Sequence, residues 1–193
     1  YFDFEYRFAV TPGCHEWLHT RACVVQRGPE GQPLVTAGTS VNIDERKRNE
    51  AAWQASEARA RELAELLRLM CDNVPDMIWA KDLEQRYLFA NKAFCEQLLM
   101  ATDTAEPVGH TDLFFALRER NSHPENPAWH TFGELCQDSD VITLERDAPS
   151  VFEESGNVRG EYLVLDVRKA PFRNQKGKVI GTVGSGRNIT ERK

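Results

Sequence analysis

The sequence predicts an α+β fold, a five-stranded antiparallel sheet with short helices on one face, preceded by a long linker helix. Three observations carry this expectation. Beyond residue 76 the segments run as two strands, several short helices and three strands, an order that suits a sheet with helices segregated to one side. Residues 44–73 contain neither Pro nor Gly and are rich in Ala, Glu, Arg and Leu, all strong helix formers. A strand–turn–strand–helix passage also occurs twice: residues 31–47 overlay residues 177–193 without a gap, with roughly half of the positions identical.

In the repeat, Asn42-Ile43-Asp44-Glu45-Arg46-Lys47 answers to Asn188-Ile189-Thr190-Glu191-Arg192-Lys193. Upstream, Gly31, Thr36 and Gly38 answer to Gly177, Thr182 and Gly184. In each copy a Gly-containing turn joins two β-rich runs, the chemistry of a hairpin. The second run then meets Asp44 or Thr190, residues suited to cap a helix, followed by Glu where the helix dipole favours an acid. Each copy therefore predicts a strand that feeds directly into an outgoing helix. After the first copy, Trp53, Ser56, Ala60, Leu63, Leu67, Met70 and Val74 recur at alternating steps of three and four, the seam of a coiled coil, with Trp53, Ala60, Leu63, Leu67 and Met70 as its larger or apolar members. The other reading of this stripe is an amphipathic helix lying on its own domain. Pro75 stops the helix.

From there, residues 77–81 and 87–90 read as a hairpin across a polar turn, and Asn91 opens a helix running to Met100. Pro107, Gly109, Pro124, Pro127 and Gly133 break the next forty residues into short helices, at 111–120 and 129–136. Strands are expected at 141–146, 161–170 and 179–189. The resulting division is 1–44 as the last strands of an incomplete domain, 45–73 as linker, 74–190 as a complete domain and 191–193 as the start of an outgoing helix. The first residues lie inside an apparent strand without an initiator methionine, so an excerpt of a longer protein is expected.

Charge and cysteine usage restrict the function. The net charge of −6 argues against a nucleic-acid surface, because neutralising phosphates needs a concentrated basic patch. Hydrophobic runs stay far below the roughly twenty residues of a membrane span, so no membrane contact is expected. Five widely spaced cysteines fit neither a disulfide framework nor a zinc knuckle and suggest a reducing cytoplasm.

Several strings resemble the PAS family of sensory domains. They are Val74-Pro75-Asp76-Met77-Ile78-Trp79-Ala80-Lys81-Asp82-Leu83, Tyr87-Leu88-Phe89-Ala90-Asn91-Lys92-Ala93-Phe94-Cys95 and the stretch from Gly181 to Lys193, and together the likeness covers residues 67–193. The family's exit motif carries Asp where this chain has Asn42 and Asn188. The resemblance implies a cytoplasmic, homodimeric input segment of a two-component sensor histidine kinase or a diguanylate cyclase, with the effector domain downstream in the same chain. Asn42, Asp44, Asn188 and Thr190 would then transfer the signal.

Trp79, Phe89, Asn91, Phe115, Phe132 and Leu135 are candidates to line a ligand pocket between sheet and helices, with core filling as the plainer reading. No cofactor is expected. The alternative is a haem- or flavin-binding redox or gas sensor, for which His110, His123 and His130 offer axial ligands. Neither Cys95 nor Cys136 has the Asn-Cys-Arg setting of a light-sensing flavin domain. Glu134, Asp138, Asp140 and Glu145 read as a solvated helix face rather than a metal site. No nucleophile signature is present, so a catalytic or metal role for this segment is not expected.

Overall fold

The computed structural model describes residues 1–133 and 136–192. The chain divides into two compact units, Tyr1–Ala64 and Glu65–Lys193.

The first unit is a three-stranded antiparallel meander of β1 (Phe2–Thr11), β2 (Cys14–Arg27) and β3 (Pro33–Asn42), followed by the start of helix α1 (Asp44–Asp72). Strict alternation in β1 puts Phe2, Phe4, Tyr6 and Phe8 on one face, opposite Ala22, Thr20, Leu18 and Glu16 of β2. On the other face Glu5 meets the first turn of α1. Its carboxylate bonds Lys47, at 2.8 Å, and Arg46, which hold its pKa down at about 2. Ile43 is the only hydrophobic residue of this unit that is buried among the described residues.

The second unit holds β4 (Met77–Asp82), β5 (Tyr87–Ala90), β6 (Ser150–Val158), β7 (Glu161–Arg173) and β8 (Val179–Asn188) in the antiparallel order β5-β4-β8-β7-β6. Between β5 and β6 run α2 (Lys92–Phe94), a π turn over Cys95–Leu99, α3 (Asp112–Ser122) and α4 (Cys136–Arg146), and a 3₁₀ turn over Thr190–Arg192 follows β8. Inward-pointing Met77, Trp79, Leu165 and Val167 meet Phe94, Leu98, Phe115 and Phe132 in one core. Trp79 lies across β8 because Gly184 and Gly186 leave space there: a Cβ on Gly184 would sit 2.5 Å from the indole. Phe94 stacks on its other side at 4.7 Å.

Two expected elements differ. Residues 141–146 belong to helix α4, not to a strand, and the third strand of the set is β6 at Ser150–Val158. The β-prone string Val141-Ile142-Thr143 is overridden by helical burial: Thr143 is fully buried and its hydroxyl donates to the Ser139 carbonyl at 2.8 Å, one helical turn back. The helix expected at 129–136 is a turn as far as Gly133, and the next helix begins at Cys136. Gly133 adopts φ +105°, which ends any helical run there.

Candidate functional site

Lysine at an inward strand position is the feature that organises the interior. Period-two alternation carries β4 inward at Met77, Trp79 and Lys81, and β7 inward at Leu165, Val167 and Lys169. Both ammonium groups are about 1% exposed. They converge on one carboxylate of α4, with Lys81 Nζ 2.7 Å from Asp140 Oδ2 and Lys169 Nζ 3.0 Å from Asp140 Oδ1. Thr182 of β8 donates to Asp140 Oδ1 at 3.2 Å.

Two further acids complete the cluster. Asp112, on the first turn of α3, accepts from Lys81 and from the Tyr87 hydroxyl. Glu154 of β6 lies 3.3 Å from Lys169 and accepts from Ser139 at 2.6 Å. Burial pushes the Asp140 carboxyl up, but Lys81 and Lys169 outweigh it and hold the group below the usual carboxylate range. Beside the cluster is a small cavity of ≈ 10 Å³, lined by Trp79, Phe94, Leu98 and Leu165 together with the charged groups. It has room for about one water molecule. A haem or flavin would require the helices to part from the sheet.

Of the pocket candidates, Trp79, Phe115 and Phe132 are in this core. Asn91 is fully buried, but its side chain serves the backbone: Oδ1 accepts from Ile78 and Phe94, and Nδ2 donates to the carbonyls of Cys71 and Asp76. Phe89 is not in the pocket. It pairs with Ala80 while Ala90 pairs with Trp79, so alternation turns its ring to the opposite face, beneath the Arg68 guanidinium at 5.0 Å. Leu135 and Glu134 lie outside the described residues.

The acidic group expected to be solvated is divided: Asp138 and Glu145 are exposed, whereas Asp140 is buried. The one signal the sequence holds for the cluster is lysine at the inward positions 81 and 169 of otherwise apolar strand faces. His110 and His123 stack on Phe114 and Trp129 at 4.0 and 3.9 Å. His130 is buried, with its Nδ1 lacking a partner among the described residues. Among those residues no three His, Cys, Asp or Glu side chains are grouped to hold a metal ion.

The two strand exits share one geometry. At the first, the Ile43 amide donates to the Trp17 carbonyl at 2.8 Å, the Trp17 amide to Asp44 Oδ1 at 2.9 Å and the Asp44 amide to Asn42 Oδ1 at 2.9 Å. At the second, Ile189 donates to Val164 at 2.9 Å, Val164 to Thr190 Oγ1 at 3.0 Å and Thr190 to Asn188 Oδ1 at 3.0 Å. β3 and β8 end one residue before these isoleucines, yet the isoleucine amides still bond the neighbouring strand. Asn42 and Asn188 thus each accept, through Oδ1, from the amide two residues further on. Across the second domain, Asp76 before β4 pairs with Arg187 near the end of β8 at 2.6 and 2.9 Å. That pairing lowers the Asp76 pKa.

The second unit is thus an α+β domain: an antiparallel five-stranded sheet with helices packed against it, a charged interior and a last strand that exits into a capped turn. The family model described as the PAS fold matches residues 71–193, well over half of the chain, and the chain belongs to that family. The uncharacterized protein y4lL of Sinorhizobium fredii is 26% identical over 201 residues, a match that covers 99% of this chain and 21% of that protein. The Vibrio cholerae VqmA–ligand–DNA complex is similar at 21% identity and TM-score 0.52, over 66% of this chain and 51% of that one. VqmA solved as a dimer without target DNA matches at 22% and 0.52, over 67% and 52%. The chain thus spans about a fifth of that curated relative and half of the VqmA chains.

These structures correct the expectation that excluded nucleic acid. A protein with this fold has been solved on DNA, so an acidic total charge does not rule out a nucleic-acid partner. Net charge averages over the molecule, whereas phosphate binding needs only a local basic surface, which another part of a longer chain can supply. Among the described residues no helix is long and apolar enough to cross a membrane.

Proposed function

We propose that the segment is the sensory input and dimerisation part of a longer signalling protein, relaying the state of its PAS interior to a downstream effector. The observation that carries this reading is the pair of matching strand exits, each tying the outgoing chain to the neighbouring strand through the same two hydrogen bonds and bracing it with a third of its own. A sheet shift at β7 therefore moves Thr190 directly, and a bistable helix beyond it converts that shift into output. The 3₁₀ turn over Thr190–Arg192 begins that element.

Dimerisation is assigned to α1. Trp53, Ala60, Leu63, Leu67 and Met70 are all exposed, and the helix has no buried residue, so the seam is open to a second copy. The first sheet is read as the end of a preceding PAS domain: Leu18 stands opposite Asn42 as Leu165 stands opposite Asn188. A histidine kinase or diguanylate cyclase is the effector this reading favours. An effector that binds DNA is the second reading, favoured by the likeness to VqmA.

Replacing Thr190 by Val in the full-length protein removes the acceptor for the Val164 amide. Effector output should then become insensitive to stimulus while the thermal midpoint stays near its original value; full responsiveness would overturn the relay. The segment is taken to work without haem or flavin, and a Soret or flavin band in the purified protein's spectrum would count against this.

A further inference from the structure

In the charged interior two lysines and a threonine converge on one carboxylate, that of Asp140. Its donors all lie on the sheet, with Lys81 on β4, Thr182 on β8 and Lys169 on β7, three adjacent strands. Their acceptor, Asp140, comes from helix α4. The rigid layer thus carries the cradle, and the helix fills it with a side chain of its own. A buried group of this kind is a weak source of stability, because desolvating the charges offsets their attraction. It suits a site where one anion can replace another.

The wall beside the cradle is apolar, formed by Trp79, Phe94, Leu98 and Leu165 around the ≈ 10 Å³ cavity. Trp79 is 3% exposed, and its indole N–H has no partner among the described residues. Asp112 and Glu154 flank the ammonium groups, so a second negative charge on a ligand would meet carboxylates. A cationic ligand would meet the ammonium groups themselves.

We propose that this interior binds a small monocarboxylate with an apolar tail, its carboxylate taking the place of Asp140 between Lys81, Thr182 and Lys169. The tail lies against Trp79 and Phe94, and α4 moves outward as Asp140 is displaced. The inference rests on the sensory reading and names the ligand class for it.

The test is calorimetric and thermal-shift titration of the 193-residue chain with butyrate and benzoate, with chloride and succinate as controls at equal ionic strength. Butyrate or benzoate should bind and raise the melting temperature, while chloride and succinate leave it unchanged. Lys169→Met should weaken binding by roughly tenfold or more, and Asp140→Asn, which removes the internal competitor's charge, should strengthen it by a similar factor. If Asp140→Asn does not fold, the wild-type titration decides alone: no binding of either monocarboxylate at millimolar concentration, or equal effects of succinate and chloride, would overturn the proposal. Failure here with a Thr190→Val variant still uncoupled from stimulus would remove the ligand class and leave the relay standing.

Discussion

Asn91 shows how much one side chain can hold. Its amide, itself fully buried, caps α2 and satisfies two carbonyls and one further amide of the chain entering the domain. Asn91→Ala would lose the cap, worth about 1 kcal/mol, and strand buried polar groups at about 1–3 kcal/mol. A total loss near 3 kcal/mol is expected in urea unfolding, against less than 1 kcal/mol for an exposed control such as Lys92→Ala. His130 gives the domain a pH dependence. Burial, helped by Arg120, Arg159 and Arg118 and opposed by Glu119, lowers its pKa below 6.5. The unfolded chain therefore takes up a proton at a pH where the folded chain does not, so the contribution is present above pH 6.5 and is lost as pH falls below it. The slope is at most about 1.4 kcal/mol per pH unit. Denaturation of wild type and His130→Gln between pH 7.5 and 5.5 should show a smaller loss for the variant. Burial likewise pushes the Cys95 thiol up to about 11, which explains why it reads as an inert core residue.

At the scale of elements, what was legible in the sequence was what local chemistry determines. The repeat, the capped strand exits, the Pro-free helix and the two long strands after residue 160 all follow from turn residues, caps and period. The hairpin of β4 and β5 was legible for the same reason. α4 was not, because Val141-Ile142-Thr143 has β-type side chains and only the buried contacts of Ser139, Asp140 and Thr143 make it helical. β6 was missed because Glu153, Glu154, Ser155, Gly156 and Asn157 look like a polar turn; their strand character comes from pairing with β7 from end to end. The charged cluster was hidden for a related cause: its members come from five separate elements, and no spacing in the chain links Lys81 to Lys169 or either one to Asp140. Packing between elements also sets the next prediction. Gly184→Ala would place a methyl group within 2.5 Å of the Trp79 ring, against a sheet that cannot retreat. A loss of about 1–3 kcal/mol is expected, with a change in Trp fluorescence as the indole shifts.

Across the whole molecule, apolar burial is distributed unevenly between the units. The hydrophobic cluster of the second unit runs from Met77 to Val167, whereas in the first Phe2, Phe4 and Phe8 are each more than 40% exposed. A three-stranded sheet with one face of uncovered aromatics gains little from the hydrophobic effect to offset the entropy of ordering it. Its stability rests on backbone pairing and on surface ion pairs such as that of Glu5 with Lys47, which contribute little. The second unit closes its own core. Hydrogen exchange of the 193-residue chain should therefore show amides of β1, β2 and β3 exchanging at least a hundredfold faster than those of β4, β7 and β8, the spread expected of cooperative units with unequal burial. Chemical denaturation should show two transitions, the first reported by Trp17 and the second by Trp79. Equal protection in both sheets would mean that the aromatic face of β1 is covered in solution, and the oligomeric state at the same protein concentration would show whether a second copy covers it.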